Sequence, residues 1–532
     1  MERKNISNNI NYINTKVKMR KSIFIPMTVV FLSIILIGLI SPKSFYDIQN
    51  YIVQIVLDNF GWLFQLSAIA FVIICVWLIF SKYGNIKLGG KDAKPTLSYW
   101  NWFTISLTSG IGTGVLFWGI AEPITHFMNP PQIGTNVEAG TEAAAMMAMN
   151  ISFTHWTFIP YAIYAVAGVM IAFAVYNMNL PCRVSSVFYT LKDRKVSKFT
   201  ESIVDNICLF AICGGVAACL GVGTMQLGMG LEQVLGIPNT KFTWICISIL
   251  IVVIYIISSI TGIDKGVKWI ADKNTKLYII LLGFVFIVGP TTFILSLGTQ
   301  SLGYMADNLF AVPTYLSPIN GSDWPRWWSV YYWAIWLAYA PIMGMFFALI
   351  SKGRTIKEFM VMNFIVPSSF GIIWFVIFGG ASIYQQINGI DLWGIMNNLG
   401  TEVSLFLFIK EYPFSTLISL LFIVAIFISI VTMCDTMTTT ISTLSINTRN
   451  AQDNKVPWKV KIFWGISMAS IAIINLLSTT EGISGIDATK QLATVTGFPI
   501  LFIMIILVFS GVKMIIKNKE YDNSIQRDKK IV

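Results

Sequence analysis

Charged residues are scarce in this chain. Only 12% of its 532 residues are Asp, Glu, Lys or Arg, while 55% are hydrophobic. An average soluble domain carries roughly a quarter of its residues as charged side chains. So little polar surface cannot face water on all sides, which excludes an ordinary soluble protein and predicts that lipid surrounds much of the molecule.

Residue patterns typical of enzymes are missing as well. The chain has two histidines, His126 and His155, and its seven cysteines form no CxxC pair. There is no GxSxG motif, and Gly110-x-Gly112-x-Gly114 lacks the Lys and Ser/Thr that a phosphate loop requires. The sequence therefore predicts no enzyme, no ATP-driven pump, no cofactor and no confident metal site.

Long apolar runs dominate the chain instead. About twelve of them reach the ~20 residues needed to cross a ~30 Å hydrocarbon core. In lipid such runs form helices, because open backbone groups find no partner. The runs lie near residues 22–42, 60–81, 101–121, 146–175, 203–235, 242–261, 277–298, 327–351, 361–383, 414–443, 460–478 and 491–516. The predicted fold class is an all-α integral membrane protein with about twelve transmembrane helices.

Basic residues cluster in every second connection between these runs. They are dense in the N-terminal tail and at 82–94, 183–198 and 449–461, whereas the alternate connections are nearly bare, with single residues such as Lys490. This alternation is the positive-inside rule, and it predicts a plasma-membrane protein with both termini in the cytoplasm. The net charge of +11 is thus a topology signal and does not indicate nucleic-acid binding.

Two spans contain residues that interrupt helices. The third holds Gly110, Gly112 and Gly114, and the eighth reads Ala340-Pro341-Ile342-Met343-Gly344. Unwound backbone survives in hydrocarbon only where it lines a cavity. Interrupted helices at matching places mark transporters built from inverted repeats, and each of these spans is the first of five. The alternative is that the glycines only allow close helix packing.

This pattern predicts a 5+5 repeat behind two extra helices. The predicted segments are a cytoplasmic tail (1–21), two accessory helices with their loop (22–100), a first repeat (101–298), an outer amphipathic connector or ordinary loop (299–326), a second repeat (327–516) and a cytoplasmic C-terminal tail (517–532).

Aromatic residues recur at helical spacing in two spans. Ring faces attract a trimethylammonium group, which has charge but no hydrogen to donate, by about 0.5–2 kcal/mol each. The alternative is that the stripes face lipid or pack in the core. The candidate cage residues are Trp156, Tyr161 and Tyr164 in the fourth span and Trp333, Trp336 and Tyr339 in the eighth.

Four segments resemble the motifs of the betaine/choline/carnitine transporter (BCCT) family. They are SGIGTGVLFWGIAEPITHF at 109–127, THWTFIPYAIYAVAG at 154–168, YYWAIWLAYAPIMGMFFALISKGRTIKEF at 331–359 and VTMCDT at 431–436. The resemblance implies a LeuT-like inverted-repeat fold, a homotrimer in the lipid bilayer, and alternating access to a central site. It also implies a small quaternary-ammonium substrate such as a betaine, carnitine or choline.

The resemblance also assigns positions in that site. Trp156 and Tyr164 match family aromatics, Tyr161 replaces a usual Trp, and Trp333-Ala334-Ile335-Trp336 stands where a Trp-Ala-Trp-Trp run is common. Tyr339 occupies a position that is Trp or Tyr in the family. The backbone from Gly110 through Gly112 to Gly114 resembles the part that faces the carboxylate or hydroxyl end of the substrate.

The resemblance also bears on the coupling ion. The family contains sodium symporters, whose ligands include hydroxyls of the fifth and tenth helices, and sodium-independent exchangers. Here residues 215–221 carry no hydroxyl, Thr432 is retained, and Met433 stands where serine is typical. Met343 resembles a thioether that exchangers place near a sodium site, and a thioether is a poor ligand for a hard cation.

These departures favour exchange without sodium, with sodium-coupled symport as the alternative and a channel or transporter-like sensor as a different class. Two intramembrane acids add to the hypotheses. Asp435 is interpreted as a gating or ion-site contact, or as a carboxylate that caps a broken helix. Glu122, which precedes Pro123, is predicted to end the third helix at the outer surface.

Overall fold

The computed structural model describes residues 19–110, 114–134, 136–191, 196–261, 264–446, 456–478 and 485–525. Regular structure in these ranges is helical, and the only extended pairings there are two isolated bridges, Met19 with Ile446 and Lys87 with Thr355. The predicted all-α class is confirmed.

The longer helices follow one another through the whole described chain. They are α1 (Lys21–Ile40), α2 (Pro42–Phe80), α3 (Tyr99–Gly110), α4 (Gly114–Met128), α5 (Glu142–Trp156), α6 (Phe158–Tyr176), α7 (Lys198–Leu235), α8 (Lys241–Thr261), α9 (Asp264–Val288), α10 (Thr291–Asp307), α11 (Tyr331–Ile350), α12 (Val366–Ile387), α13 (Ser415–Leu444), α14 (Trp458–Leu477) and α15 (Gly485–Ile516). Short helical segments lie at Lys82–Asn85, Val184–Leu191, Ala311–Thr314, Arg326–Val330, Ile356–Met360, Val361–Ile365, Leu392–Leu399, Thr401–Val403, Ser404–Lys410 and Asn518–Tyr521.

The predicted apolar runs coincide with these helices. Among the described residues, ten helices are long and apolar enough to cross a membrane, or eleven if Asp272–Val288 and Thr291–Asp307, bent by 106°, form one span. The run at 101–121 falls on α3 and α4, whose intervening residues 111–113 lie outside the described ranges. The chain is therefore a multi-pass membrane protein.

Burial separates inner helices from outer ones. The apolar stretch of the α5–α6 pair is 89% buried, whereas that of α1 is only 22% buried. The outer helices expose apolar side chains such as Ile40 and Phe242, which suits a surface covered by lipid tails. At the centre, α11 packs against α6, α7 and α15, and α4 packs against α5 and α12.

The predicted break in the eighth span is wrong. Helix α11 continues through Pro341 and Gly344, and a π-helical turn at Arg326–Val330 precedes it. Pro341 removes one backbone donor, but α11 is packed along α6 and the helix persists. A Cβ at Gly344 would lie 2.8 Å from the Cβ of Ala167, so this glycine allows the two helices to cross closely.

Two charged residues also lie elsewhere than the sequence indicated. Helix α4 continues past Pro123 to Met128, so that Glu122 is fully buried and does not end the helix at the surface. Lys490 belongs to α15 and is buried, although the charge pattern assigned it to a connection. In both cases hydropathy alone could not distinguish a connection from a polar position inside the packed helices.

Proline accounts for a helix break between α5 and α6 and for a bend between α9 and α10, neither of which the sequence analysis singled out. Thr157, with φ −121° and ψ −102°, separates α5 from α6. Pro160 follows three residues later and cannot donate to the carbonyl of Trp156. In the seventh span, Gly289 and Pro290 separate α9 from α10. The predicted run at 277–298 includes the bend between α9 and α10.

Candidate functional site

Three of the predicted cage rings meet where the fourth and eighth spans cross. The ring centroids of Trp156 and Trp336 are 5.2 Å apart at an interplanar angle of 87°, and those of Tyr164 and Trp336 are 5.9 Å apart at 78°. Trp156 and Tyr164 are buried, and Trp336 is partly exposed. The arrangement sets flat aromatic walls at nearly right angles to one another.

The ends of two helices help to hold these rings. Trp156 is the last residue of α5, and the indole Nε1 of Trp336 donates to the backbone carbonyl of His155, 3.1 Å away. Gly114, the first residue of α4, packs directly against the ring of Trp156. A Cβ at this position would lie only 2.8 Å from Cη2 of Trp156. The third span thus approaches the rings with its backbone.

A fully buried carboxylate orients Trp156. Oε2 of Glu122 accepts hydrogen bonds from Nε1 of Trp156, at 2.6 Å, and from the hydroxyl of Tyr332, at 2.7 Å. Oε1 of Glu122 lies 2.5 Å from Nδ1 of His155, whose Nε2 lies 2.9 Å from the hydroxyl of Ser329. These hydrogen bonds satisfy both carboxylate oxygens and connect Glu122 in the third span with the fourth span, through Trp156 and His155, and with the eighth span, through Tyr332.

His126 completes this cluster, one helical turn after Glu122. Its Nε2 lies 3.7 Å from Oε1 of Glu122, and its Nδ1 accepts a long hydrogen bond, 3.4 Å, from the indole N–H of Trp324. An indole nitrogen can only donate, so Nδ1 of a neutral His126 carries the lone pair and Nε2 carries the proton. That proton points toward the carboxylate.

This cluster has donor types that metals use, but its geometry is that of a hydrogen-bond network. The nearest atoms of Glu122, His126 and His155 lie within 4.8 Å of one another. Both carboxylate oxygens and both nitrogens of His155 are engaged in hydrogen bonds, and Nε2 of His126 presents a proton. The residues therefore do not offer a set of free lone pairs to a metal ion.

A buried lysine lies beside the cluster. Nζ of Lys490 is 4.8 Å from the ring centroid of Trp328, 5.1 Å from that of Tyr331 and 5.5 Å from that of Trp118. It is also 3.9 Å from Oδ1 of Asp487. Ring faces stabilise a cation that has lost water, so the protein already places one of its own ammonium groups inside an aromatic box.

A comparison with models of known protein families identifies the family of this chain over nearly its full length. A family model described as BCCT, betaine/carnitine/choline family transporter, matches residues 22–520. The chain belongs to this family. The resemblance stated from the motifs is confirmed, and so is the conclusion that the protein is a transporter and not an enzyme.

Two curated relatives match this BCCT chain over most of the length of both proteins. It is 31% identical to the ectoine/hydroxyectoine transporter of Virgibacillus pantothenticus, over 93% of this chain and 96% of that protein. It is 31% identical to the glycine betaine transporter OpuD of Bacillus subtilis (strain 168), over 90% of each. The solved structure of a Na+-coupled sialic acid symporter in its substrate-bound outward-open state matches with a TM-score of 0.46 and 15% identity, covering 85% of this chain and 87% of that chain.

The other predicted cage residues of this BCCT transporter have separate contacts. Nε1 of Trp333 donates to Oε1 of Gln65 on α2 at 2.7 Å, and its ring contacts His155. The hydroxyl of Tyr339 donates to the carbonyl of Gly215 on α7 at 2.6 Å. Tyr161 is buried, Gly110 ends α3, and Gly112 lies outside the described residues. The structure thus brings together Trp156, Tyr164, Trp336 and Gly114.

The residues of the predicted coupling-ion region bond mainly within the tenth span and toward the sixth. The hydroxyl of Thr432 donates to the carbonyl of Ile428 at 2.7 Å, and Oδ2 of Asp435 accepts from Ser258 on α8 at 3.1 Å. Met343 is buried on α11 and Met433 is partly buried on α13. Because α13 continues to Leu444, the interpretation of Asp435 as the cap of a broken helix is wrong.

The cluster around Glu122 is the part of the site that sequence reasoning missed. A usable signal existed, because ionisable residues within membrane spans are rare and mark functional positions by default. Both histidines of the chain lie in predicted spans or at their ends, His126 four residues after Glu122 and His155 beside Trp156. Because Glu122 was predicted to lie at the surface end of a helix, the sequence analysis did not group it with His126 and His155.

Proposed function

We propose that this protein is a secondary active transporter of small quaternary-ammonium compounds, such as glycine betaine, carnitine, choline or related methylated amines. It moves them by alternating access to a site at the crossing of the fourth and eighth spans. The observation that carries the proposal is the set of nearly perpendicular rings of Trp156, Trp336 and Tyr164. Membership in the betaine/carnitine/choline family supports the same substrate class.

The chemistry of this site suits a cation that cannot donate hydrogen bonds. Each ring face contributes about 0.5–2 kcal/mol of attraction, and more where water is excluded. Glu122 holds the Trp156 ring in place through its indole N–H and adds negative potential behind the ring. Gly114 brings backbone close to Trp156, and we propose that the stretch from Gly110 through Gly112 to Gly114 receives the carboxylate or hydroxyl end.

The proposed coupling mode is exchange of one substrate for another without sodium. Residues 215–221 supply no hydroxyl ligand, and Met343 and Met433 place sulfur where a hard cation prefers oxygen. The Thr432 hydroxyl donates within its own helix. Sodium-coupled symport, with backbone oxygens and Thr432 as ligands, is the alternative. A channel or sensor is the alternative of a different class.

The remaining proposals concern orientation and assembly. The positive-inside pattern supports cytoplasmic termini in the cell membrane. Apolar side chains exposed on the outer helices, such as Ile40 and Phe242, support contact with the lipid bilayer. A homotrimer, and the division into 1–21, 22–100, 101–298, 299–326, 327–516 and 517–532, rest on the family resemblance and the spacing of the spans.

Uptake into proteoliposomes tests the function and the coupling together. Labelled glycine betaine, carnitine, choline and ectoine are supplied with and without a sodium gradient, and with and without the same compound preloaded inside. We expect uptake of at least one quaternary-ammonium compound that requires preloading and ignores sodium. Sodium-driven uptake into empty vesicles would establish symport, and non-saturating flux would establish a channel. Uptake of ectoine alone would exclude the quaternary-ammonium class.

A further inference from the structure

The Glu122 cluster contains three titratable side chains with no exposed surface. Glu122, His126 and His155 are each 0% exposed, and they are joined by contacts of 2.5 Å and 3.7 Å. An isolated buried charge is costly, and the cost falls when the group is paired and hydrogen-bonded. With Glu122 ionised and both imidazoles neutral, this cluster has a net charge of −1, and one additional proton makes it neutral.

The heavy-atom geometry fits both of these states. If His155 is neutral, its Nδ1–H donates to Glu122 and its Nε2 accepts from the Ser329 hydroxyl. If His155 is an imidazolium, Nδ1–H still donates to Glu122, and Nε2–H donates to the same hydroxyl after the hydroxyl turns, across the same 2.9 Å. A proton can therefore enter or leave without rearrangement of the helices, because a hydroxyl is both donor and acceptor.

The charged groups around the cluster are few and come from identifiable elements. From α15, Lys490 approaches through the box of Trp118, Trp328 and Tyr331, with Asp487 on its outer side. From the π-helical turn before α11, Arg326 pairs with Asp58 and Asp323 at an exposed position. Helix α11 itself contributes the neutral Tyr332, and the segment before it contributes Trp324. The short segment Thr401–Val403, which packs against α4, contributes Glu402.

We propose that Glu122, His126 and His155 form a binding site for one exchangeable proton, and that this proton competes with the cationic group of the substrate. The link is direct, because the carboxylate that shares the proton also accepts the indole N–H of Trp156. The inference rests on the proposed function in one respect, that the cation binds against the Trp156 ring. A proton on the cluster removes negative charge from behind that ring and weakens the attraction.

Linkage then determines the sign of the pH dependence. The deprotonated cluster binds the substrate more tightly, so substrate binding releases a proton to the buffer, and the apparent Kd rises as pH falls. For a single linked proton, the rise is at most about tenfold per pH unit. Transport would accordingly carry a proton dependence that belongs to the cage and is separate from any sodium site.

Calorimetric titration of the purified protein with glycine betaine tests the competition. It is run between about pH 5.5 and 8.5 in two buffers of different ionisation enthalpy, so that released protons are counted. We expect Kd to rise toward acid by as much as about tenfold per pH unit, with up to one proton released. Glu122→Gln should release none and bind at every pH as weakly as the wild type does in acid. Glu411→Gln, which alters an exposed carboxyl directly after the Ser404–Lys410 helix, should behave as wild type.

A second measurement needs no substrate and no variant. Both histidines of the chain belong to the cluster, so protein with isotope-labelled histidine, purified without a histidine tag, gives imidazole NMR signals from this site alone. We expect these signals to shift with pH in a single one-proton step in the wild type and in Glu411→Gln. In Glu122→Gln the dependence of these signals on pH should differ from that of the wild type, because the imidazoles lose their carboxylate partner.

The outcomes separate the two proposals. Imidazole signals that stay constant over the whole pH range would overturn the proton site, whatever the substrate does. A titrating cluster in a protein that binds none of the quaternary-ammonium compounds would overturn the proposed function and leave the proton site standing. A titrating cluster with a Kd that is the same at every pH would overturn the competition between proton and substrate.

Discussion

The crossing of the fourth and eighth spans differs from the tenth span in where its polar side chains bond. At the crossing, hydrogen bonds join different helices: Glu122 on α4 accepts from Trp156 on α5 and from Tyr332 on α11, and Trp336 on α11 donates to the carbonyl of His155. These contacts are long-range in sequence. They hold three spans in one arrangement around the rings.

The tenth span is rich in hydroxyls, and four of its threonines donate to the preceding turn of the same helix. Thr432 donates to Ile428, Thr436 to the carbonyl of Thr432, and Thr440 to that of Thr436, at distances of 2.7–3.0 Å. Bonds to the sixth span occur at Asp435, with Ser258, and at Thr439, with Ser259. Ser429 bonds to Asn274 and Tyr278 of the seventh span. A threonine that bonds back to the preceding turn does not hold its helix to a neighbour.

This difference shows which polar residues of a membrane protein fix the position of one helix relative to another. At the crossing, moving one helix breaks charge-assisted bonds in a dry interior, where an unpaired polar group is costly. The threonines that bond back within the tenth span remain satisfied when the helix slides or tilts. We therefore expect substitutions at the crossing to change substrate affinity strongly and substitutions of the tenth-span hydroxyls to change it little.

The largest expected effect is at Trp336. Trp336→Ala removes a wall that stands at 87° to Trp156 and should weaken substrate binding about tenfold or more, on the order of 1.4 kcal/mol. Trp333→Phe is the matched control, because Trp333 bonds to Gln65 and should change affinity by less than about twofold while lowering the free energy of unfolding by about 1 kcal/mol. Equilibrium binding and thermal unfolding measure both. Equal losses of affinity would place the site nearer to Gln65.

An intermediate effect is expected at Gly114. A Cβ at this position would lie 2.8 Å from Cη2 and 3.1 Å from Cζ3 of Trp156, so Gly114→Ala must displace the ring or the start of α4. We expect affinity to fall on the order of fivefold. Gly283→Ala on α9, where a Cβ meets nothing within 4 Å, is the control and should bind as wild type. Wild-type affinity in Gly114→Ala would remove this glycine from the site.

The smallest effect is expected at Thr432. Thr432→Val removes a hydroxyl that donates to its own helix, and uptake, affinity and the response to sodium should stay within about twofold of wild type. Thr436→Val, which removes an equivalent intrahelical bond, is the matched comparison. Uptake that loses a sodium dependence in Thr432→Val but not in Thr436→Val would identify Thr432 as a sodium ligand and would favour symport.

Much of the fold was predictable because lipid imposes one strong constraint. A run of about 20 apolar residues has no alternative to helical structure, and the described residues of each predicted run lie almost entirely in one helix or in two successive ones. Local interruptions were harder to predict. Pro341 lies in a continuous helix, whereas Thr157 marks a break between two helices and Pro290 lies at a bend of 106°. Whether a proline bends a helix depends on the neighbours that pack against it, and spacing along the chain does not contain that information.

The candidate site was predictable in part for a similar reason. Spacing and family motifs selected Trp156, Tyr164 and Trp336, which the structure brings into contact. Trp333 was selected by the same spacing, although its indole bonds to Gln65, some 270 residues away in sequence. A shared helix face restricts the direction of a side chain, but the partner in that direction belongs to another part of the chain.

The sequence by itself determined that lipid surrounds this protein, where its spans lie and to which family it belongs, because hydropathy and motifs are local properties of the chain. Only the tertiary structure decided that Glu122, His126 and His155 form one buried network behind Trp156 and that Lys490 lies in an aromatic box. These residues come from helices far apart in sequence. A charge in a membrane interior is acceptable only through its partners, and those partners are set by how the helices pack.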